Sequence, residues 1–198
     1  MSIMMNATRQ TLMGYGDRAK QILRLLLVLT LLVWVLELID RLILGGSLDQ
    51  FGIVPRQLVG LRGIMLAPFL HAGFAHLLTN TLPFLILGFL IALRHGSRIV
   101  VISTVIILIS GLGTWLIAPA YTVHIGASGL VFGYLAFLVV NAWYERSPGA
   151  VALALAVILM YGSLIGGIWP AAGVSWQGHL FGLVGGAIAA FYFSERPR

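Results

Sequence analysis

Apolar residues along this chain do not alternate with polar ones; they run on for lengths that neither a strand nor a half-buried helix requires. Six stretches, roughly 22–44, 76–93, 99–118, 126–143, 150–168 and 177–194, are predominantly apolar. Each approaches the ~20 residues that a helix needs to cross the hydrocarbon core of a bilayer. Short polar turns separate several of them, such as Arg94-His95-Gly96-Ser97-Arg98 and Tyr144-Glu145-Arg146-Ser147-Pro148-Gly149. One connector breaks the pattern. Residues 45–75 are too many for a turn and too apolar for a solvated linker (Phe51, Ile53, Val54, Leu58, Ile64, Met65). Irregular backbone near lipid has to be packed on protein or held in the interface, so a structured loop is predicted there. The pattern therefore predicts an all-α polytopic membrane protein, a single domain over 1–198 with a short tail at 1–21. The first run is too long for a signal-peptide core and lacks a small-residue cleavage site, so it reads as a retained span.

Charge orients the spans. Arg9, Arg18, Lys20 and Arg24, Arg94 and Arg98, Arg146, and Arg196 and Arg198 place nine of the 12 basic residues on one side. Arg41, Arg56 and Arg62 fall on the other. The positive-inside rule then predicts cytoplasmic termini and an outer long loop. Composition agrees: the 198 residues are 60% hydrophobic and 9% charged, with a mean hydropathy of +1.01. A soluble domain carries about 25% charged residues, and a small one has more surface to solvate, not less. Membrane lipids are thus the expected surroundings. The net charge of +6 is accounted for by the sided loops, without nucleic acid. Cysteine is absent, which excludes disulfides, thiolate metal sites and a cysteine nucleophile.

Polar side chains inside spans are costly, so each is a candidate functional group. Helix one carries Glu37, Asp40 and Arg41 at its outer end. Glu37 and Arg41 are four apart and read as a snorkelling salt bridge rather than a proton relay. His76 and Asn80, also four apart, share a face of the second span; alone they would read as interhelical hydrogen-bonding glue. Ser128, in Gly126-Ala127-Ser128-Gly129, opens the fourth span, where free N–H groups and the positive end of the helix dipole gather. His179 opens the sixth, followed by Gly182 and Gly186 at i+3 and i+7. Small residues at that spacing let helices approach closely, and Gly129 and Gly133 offer a matching surface. If the two surfaces meet, Ser128 and His179 share one level, and a neutral imidazole could accept the serine proton.

The remaining inventory narrows the chemistry. The six acids are Asp17, Glu37, Asp40, Asp49, Glu145 and Glu195. Asp17, Glu145 and Glu195 lie across the membrane from Ser128, and the other three lie outside the motifs, so a dyad is expected rather than a Ser-His-Asp triad. No HExxH is present. His71 and His76, five apart, would face different sides of one continuous helix, and no metal site is expected there. Facing spans carry no aspartate pair. No cofactor is expected. His76, Asn80 and the Ser128 amide could instead supply N–H donors to an oxyanion.

These motifs resemble those of the rhomboid intramembrane serine proteases, of the minimal six-helix prokaryotic type. The likeness rests on His71-Ala-Gly-Phe-Ala-His76-Leu-Leu-Thr-Asn80, on Gly126-Ala127-Ser128-Gly129, and on Gly178-His179-Leu180-Phe181-Gly182 with Gly186, in the family's order and on its second, fourth and sixth helices. It implies a rhomboid-like bundle of six transmembrane helices with a long first outer loop. It implies Ser128 as nucleophile, His179 as general base, and His76 and Asn80 as oxyanion donors. Phe132 matches an aromatic position, usually tyrosine, that packs on the catalytic histidine, and His71 matches a structural loop histidine. By the same resemblance, the substrates are transmembrane proteins cut in or beside a spanning segment, and the location is a bacterial plasma membrane. Two departures stand out. Arg62-Gly63 replaces the family's frequent Trp-Arg pair in the first outer loop, and Phe132 lacks the tyrosine hydroxyl. Substrate access is expected beside the fifth span and the loop 169–176 (Trp169, Pro170, Gly173, Trp176).

Overall fold

The computed structural model describes residues 2–195, with side chains from residue 19 onward. Arg196 and Arg198, and the side chains of Arg9 and Arg18, lie outside that set. The chain is all-helical: α1 (Ser2–Leu42), a short α2 (Gly63–Leu66), α3 (Phe74–His95), α4 (Arg98–Ile117), α5 (Ser128–Glu145), α6 (Pro148–Tyr161) and α7 (Trp176–Phe193). Among the described residues four helices are long and apolar enough to cross a membrane: Ala19–Leu42, Phe74–His95, Arg98–Ile117 and Pro148–Ile168. The other two expected spans, α5 and α7, are 18 residues each and lie at the centre of the bundle.

The packing of α5 against α7 explains that position. A Cβ added to Gly182 would lie 2.2 Å from the Gly129 carbonyl oxygen, and one on Gly186 would lie 2.0 Å from that of Gly133. The two backbones are therefore in contact through glycine, as small-residue spacing allows between helices in lipid. On the flank, α4 seals the pair: Gly113 faces the Phe181 ring and Gly185 faces Ile106. Eleven of the 18 residues of α5 are buried. By contrast α1 packs on the bundle mainly along α3, through Leu26 against Gly88 and a Trp34 Nε1–H bond to Thr81 Oγ1 (3.1 Å). At the opposite end from Ser128, Arg94 in the last turn of α3 pairs with Glu145 at the end of α5.

Several expected boundaries move for identifiable reasons. Gly126 has φ +113, outside helical backbone, so α5 begins at Ser128 and not at 126. The stretch 150–168 is not one α-helix. It is α6 followed by a 3₁₀ segment, Gly162–Ile168, where Gly162, Gly166 and Gly167 weaken the α-helix. Ser147 caps α6 by accepting the Ala150 N–H (3.1 Å), with Pro148 at the first helical position. Helix α1 extends back through the segment expected as a tail.

The long loop, 43–73, is a chain of short 3₁₀ turns and α2 folded back on the bundle. Ile53 and His124 exchange both backbone bonds at 2.9 Å. Arg56 donates to the carbonyls of Leu116 (3.0 Å) and Ala118 (2.7 Å), the unsatisfied end of α4, while Trp115 Nε1–H bonds Gln57 O (2.9 Å). Arg62 lies over the Phe51 ring, 4.5 Å from its centroid. Gly63 abuts the Gly52 backbone so closely that a Cβ would lie 2.2 Å from Gly52 C. Arg62 and Gly63 thus serve as anchors of their own, in place of the family's Trp-Arg pair.

That fold-back corrects one expectation about α1. Glu37 and Asp40 are only 3% and 2% exposed, so they do not snorkel. Arg41 donates to Glu37 (2.8 Å), to Asp49 (2.9 Å) and to the His71 carbonyl (2.9 Å), and Asp40 accepts the Leu48 N–H (2.9 Å). The network ties the C-terminal end of α1 to both ends of the loop. Burial raises the Asp49 carboxyl above the usual range, against the pull of Arg41.

Candidate active site

Ser128 stands at the first position of α5, directly after the Gly126–Ala127 turn, and His179 stands in the first turn of α7. The glycine contact between these helices brings the two side chains together: His179 Nε2 lies 2.8 Å from Ser128 Oγ. The other ring nitrogen, Nδ1, is 2.7 Å from the Gly167 carbonyl oxygen. A carbonyl only accepts, so Nδ1 carries the proton and Nε2 offers its lone pair to the serine. Phe132, one turn after Ser128, stacks on the imidazole at 4.1 Å between centroids and 8° between planes. Without a hydroxyl it holds the ring by its face alone.

Across the cavity, His76 Nδ1 accepts the Ala72 N–H (3.3 Å), which leaves Nε2 as the protonated nitrogen. That edge faces Gly126, where a Cβ would come within 2.8 Å of Nε2. Glycine is needed here twice, for the positive φ and for the imidazole's approach. Asn80 is buried and spends one carboxamide hydrogen on the His76 carbonyl (2.8 Å), which keeps a second N–H for other partners. The Ser128 amide, in the first turn of a helix, has no intrahelical acceptor. His76, Asn80, Ser128, Phe132 and His179 all line one cavity of about 1130 Å³. It is bounded on one side by α3, and on the other by the 3₁₀ segment and the loop after it.

His71 stands behind this cavity and not in it. It is 1% exposed, and its Nε2 accepts the Ala127 N–H at 3.4 Å, bracing the residue before Ser128. Burial, with His76 nearby, pushes its pKa down to about 3, so it is neutral at ordinary pH. His71 precedes α3 and meets His76 edge to face at 5.1 Å. The expectation of one continuous helix through both was wrong, because Gly73 (φ +115) breaks the backbone between them. No group of three or more metal-ligating side chains occurs among the described residues.

Two participants were missed in the sequence. Gly167 contributes a backbone atom, which no side-chain inventory registers. His124 bridges the loops that precede α5 and α7, 2.8 Å from Thr122 Oγ1 through Nε2 and 2.8 Å from Ser175 Oγ through Nδ1. Burial lowers its pKa. A signal existed for it: His124 and Ser175 lie four residues before Ser128 and His179, so the same pairing recurs one step upstream with the residue types exchanged.

A polytopic helical bundle with a serine hydroxyl and an imidazole hydrogen-bonded in the lining of one cavity defines the class: an integral membrane protein with a buried polar pair between two of its helices. The comparisons with known proteins give the family. The rhomboid domain family matches residues 56–196, and the chain belongs to the rhomboid family, whose members are intramembrane proteases. An uncharacterized protein of Mycobacterium tuberculosis (strain H37Rv) is 44% identical over 182 residues, 87% of this chain and 75% of that protein. One from Mycobacterium leprae is 42% identical over 176 residues, 84% and 69% of the two chains. YdcA of Bacillus subtilis, named as a candidate rhomboid protease, is 31% identical over 130 residues, 62% of each chain.

Proposed function

We propose that this protein is an intramembrane serine endopeptidase that cuts transmembrane segments of membrane proteins by a Ser128–His179 dyad. His179 Nε2 takes the Ser128 proton as Oγ attacks the scissile carbonyl, and returns it to the leaving amine. His76 Nε2–H, the free Asn80 N–H and the Ser128 amide receive the oxyanion. The observation that carries this reading is the 2.8 Å contact from Ser128 Oγ to an imidazole whose other nitrogen is already committed as a donor. Six spans, cytoplasmic termini and a bacterial plasma membrane complete the proposal, on the distribution of basic residues. The cavity between α3 and the 3₁₀ segment after α6 is the route by which a substrate reaches Ser128.

The test is cleavage of a model transmembrane substrate by the purified protein in lipid. The wild type cleaves it and Ser128→Ala does not. Cleavage that survives Ser128→Ala overturns the nucleophile.

A further inference from the structure

The site contains a third participant that has no side chain. We propose that Gly167 is a positioning residue: its carbonyl holds His179 in the Nδ1–H tautomer, so that the base is ready only while the 3₁₀ segment after α6 is seated. This inference rests on the dyad reading and adds to it a link between cavity closure and catalysis.

Four observations converge. A neutral imidazole has one donor and one acceptor nitrogen, and the bond made by one sets the role of the other. The 2.7 Å contact from Nδ1 to Gly167 O therefore decides that Nε2 faces Ser128 as an acceptor. Next, the carbonyl is available for a reason written in the sequence. In the 3₁₀ pattern each carbonyl is taken by the N–H three residues on, as Gly166 O is by Trp169 N (3.3 Å). The residue three after Gly167 is Pro170, which has no N–H. The chain also turns extended at Trp169 (φ −81, ψ 140), ending the helical hydrogen-bond pattern beyond it. Gly167 O is thus released to the imidazole by the Gly-Ile-Trp-Pro order itself.

The third observation is steric. A Cβ on residue 167 would lie 2.9 Å from His179 Nδ1 and 2.9 Å from Phe132 Cζ. Only glycine lets the backbone approach the edges of the stacked pair. The fourth concerns what carries the carbonyl. Pro148–Ile168 has 17% of its spanning window buried, and α6 rests along α5. Its 3₁₀ end forms the wall of the cavity opposite Thr79, Asn80 and Pro83. Widening the cavity by moving that wall outward withdraws the carbonyl. A substrate that pushes the wall aside meets an unready base, and the base is restored when the wall returns.

The experiment uses the full chain in lipid, with ¹⁵N-labelled histidine, reading the His179 tautomer together with kcat, KM, the rate of Ser128 labelling by a fluorophosphonate, and thermal stability. The wild type should show Nδ1–H, and should keep it in Ser128→Ala, because the tautomer is set by Gly167 and not by the serine. Pro170→Ala, at an exposed position, restores an N–H and lifts the proline's bar on helical backbone at Trp169, so that the 3₁₀ pattern runs on and the new N–H competes for the carbonyl. It should lower kcat and the labelling rate about three- to tenfold, the worth of one hydrogen bond, with KM within about twofold and a mixed tautomer spectrum. Gly167→Ala should act in the same direction and more strongly; if it does not fold, Pro170→Ala decides. An Nε2–H wild type, or a Pro170→Ala protein with unchanged tautomer and labelling rate, overturns the inference. A wild type that neither cleaves nor labels at Ser128 overturns the dyad reading instead, whatever the tautomer.

Discussion

Helices α1 and α6 and helices α5 and α7 make opposite use of the same environment. The spanning windows of Ala19–Leu42 and Pro148–Ile168 are each 17% buried, and their large side chains, such as Leu31 and Leu159, stand out from the bundle. Helices α5 and α7 hold glycine, alanine, Asn141, Gln177 and His179 in the interior. In water, apolarity marks the inside of a protein. In lipid the solvent is itself apolar, and the inside is marked by small residues that admit close backbones and by polar groups that need partners. The strongest hydropathy signals therefore belong to helices at the periphery of the bundle, and the weakest to the pair that carries Ser128 and His179.

Substitutions that add bulk should separate the two regions most sharply. Gly182→Val places a branched side chain where a Cβ alone would sit 2.2 Å from a carbonyl oxygen. We expect a loss of about 3 kcal/mol or more of stability and no activity. Leu159→Ala, at a residue 87% exposed in the structure, should leave melting and turnover within about twofold. Equal tolerance at both positions, in a thermal unfolding and cleavage series, contradicts the inside-out assignment. Within the interior, Asn80→Ala should lower kcat about 10²-fold, the usual cost of one oxyanion donor, while melting barely changes. A parallel fall in stability would make Asn80 a packing residue only.

A smaller effect concerns the loop-to-core contact at His71. Its pKa is about 3 in the fold and 6.5 in the open chain. Between those values the unfolded state binds the extra proton, so stability falls as pH drops below about 6.5 and levels off near 3. One proton is worth about 1.4 kcal/mol per pH unit in that window. His71→Gln, whose amide can still accept from Ala127, should flatten the acid-side slope of unfolding by that one proton. An unchanged slope means that His71 is not buried as described.

Much of this arrangement was legible in the sequence because bilayer physics leaves few options. Six apolar runs had to be helices, and matching glycines in Gly129/Gly133 and Gly182/Gly186 pointed to the helices that meet. The sequence was less informative wherever backbone decides. Gly126 and Gly73 reset φ and moved helix starts. Glu37 and Asp40 looked interfacial because nothing in their spacing says that residues 43–73 fold back over them. The Gly167 carbonyl has no letter of its own, although Pro170 three residues later was a visible clue that a carbonyl had lost its donor.

The central claim is that Ser128 is activated by His179, and active-site labelling tests it most directly. A fluorophosphonate probe, followed by mass mapping of the modified residue, should mark Ser128 in the wild type, and the mark should disappear in His179→Asn at unchanged melting temperature. Labelling of Ser128 that is as fast without His179, or a modification that maps elsewhere, would contradict the account.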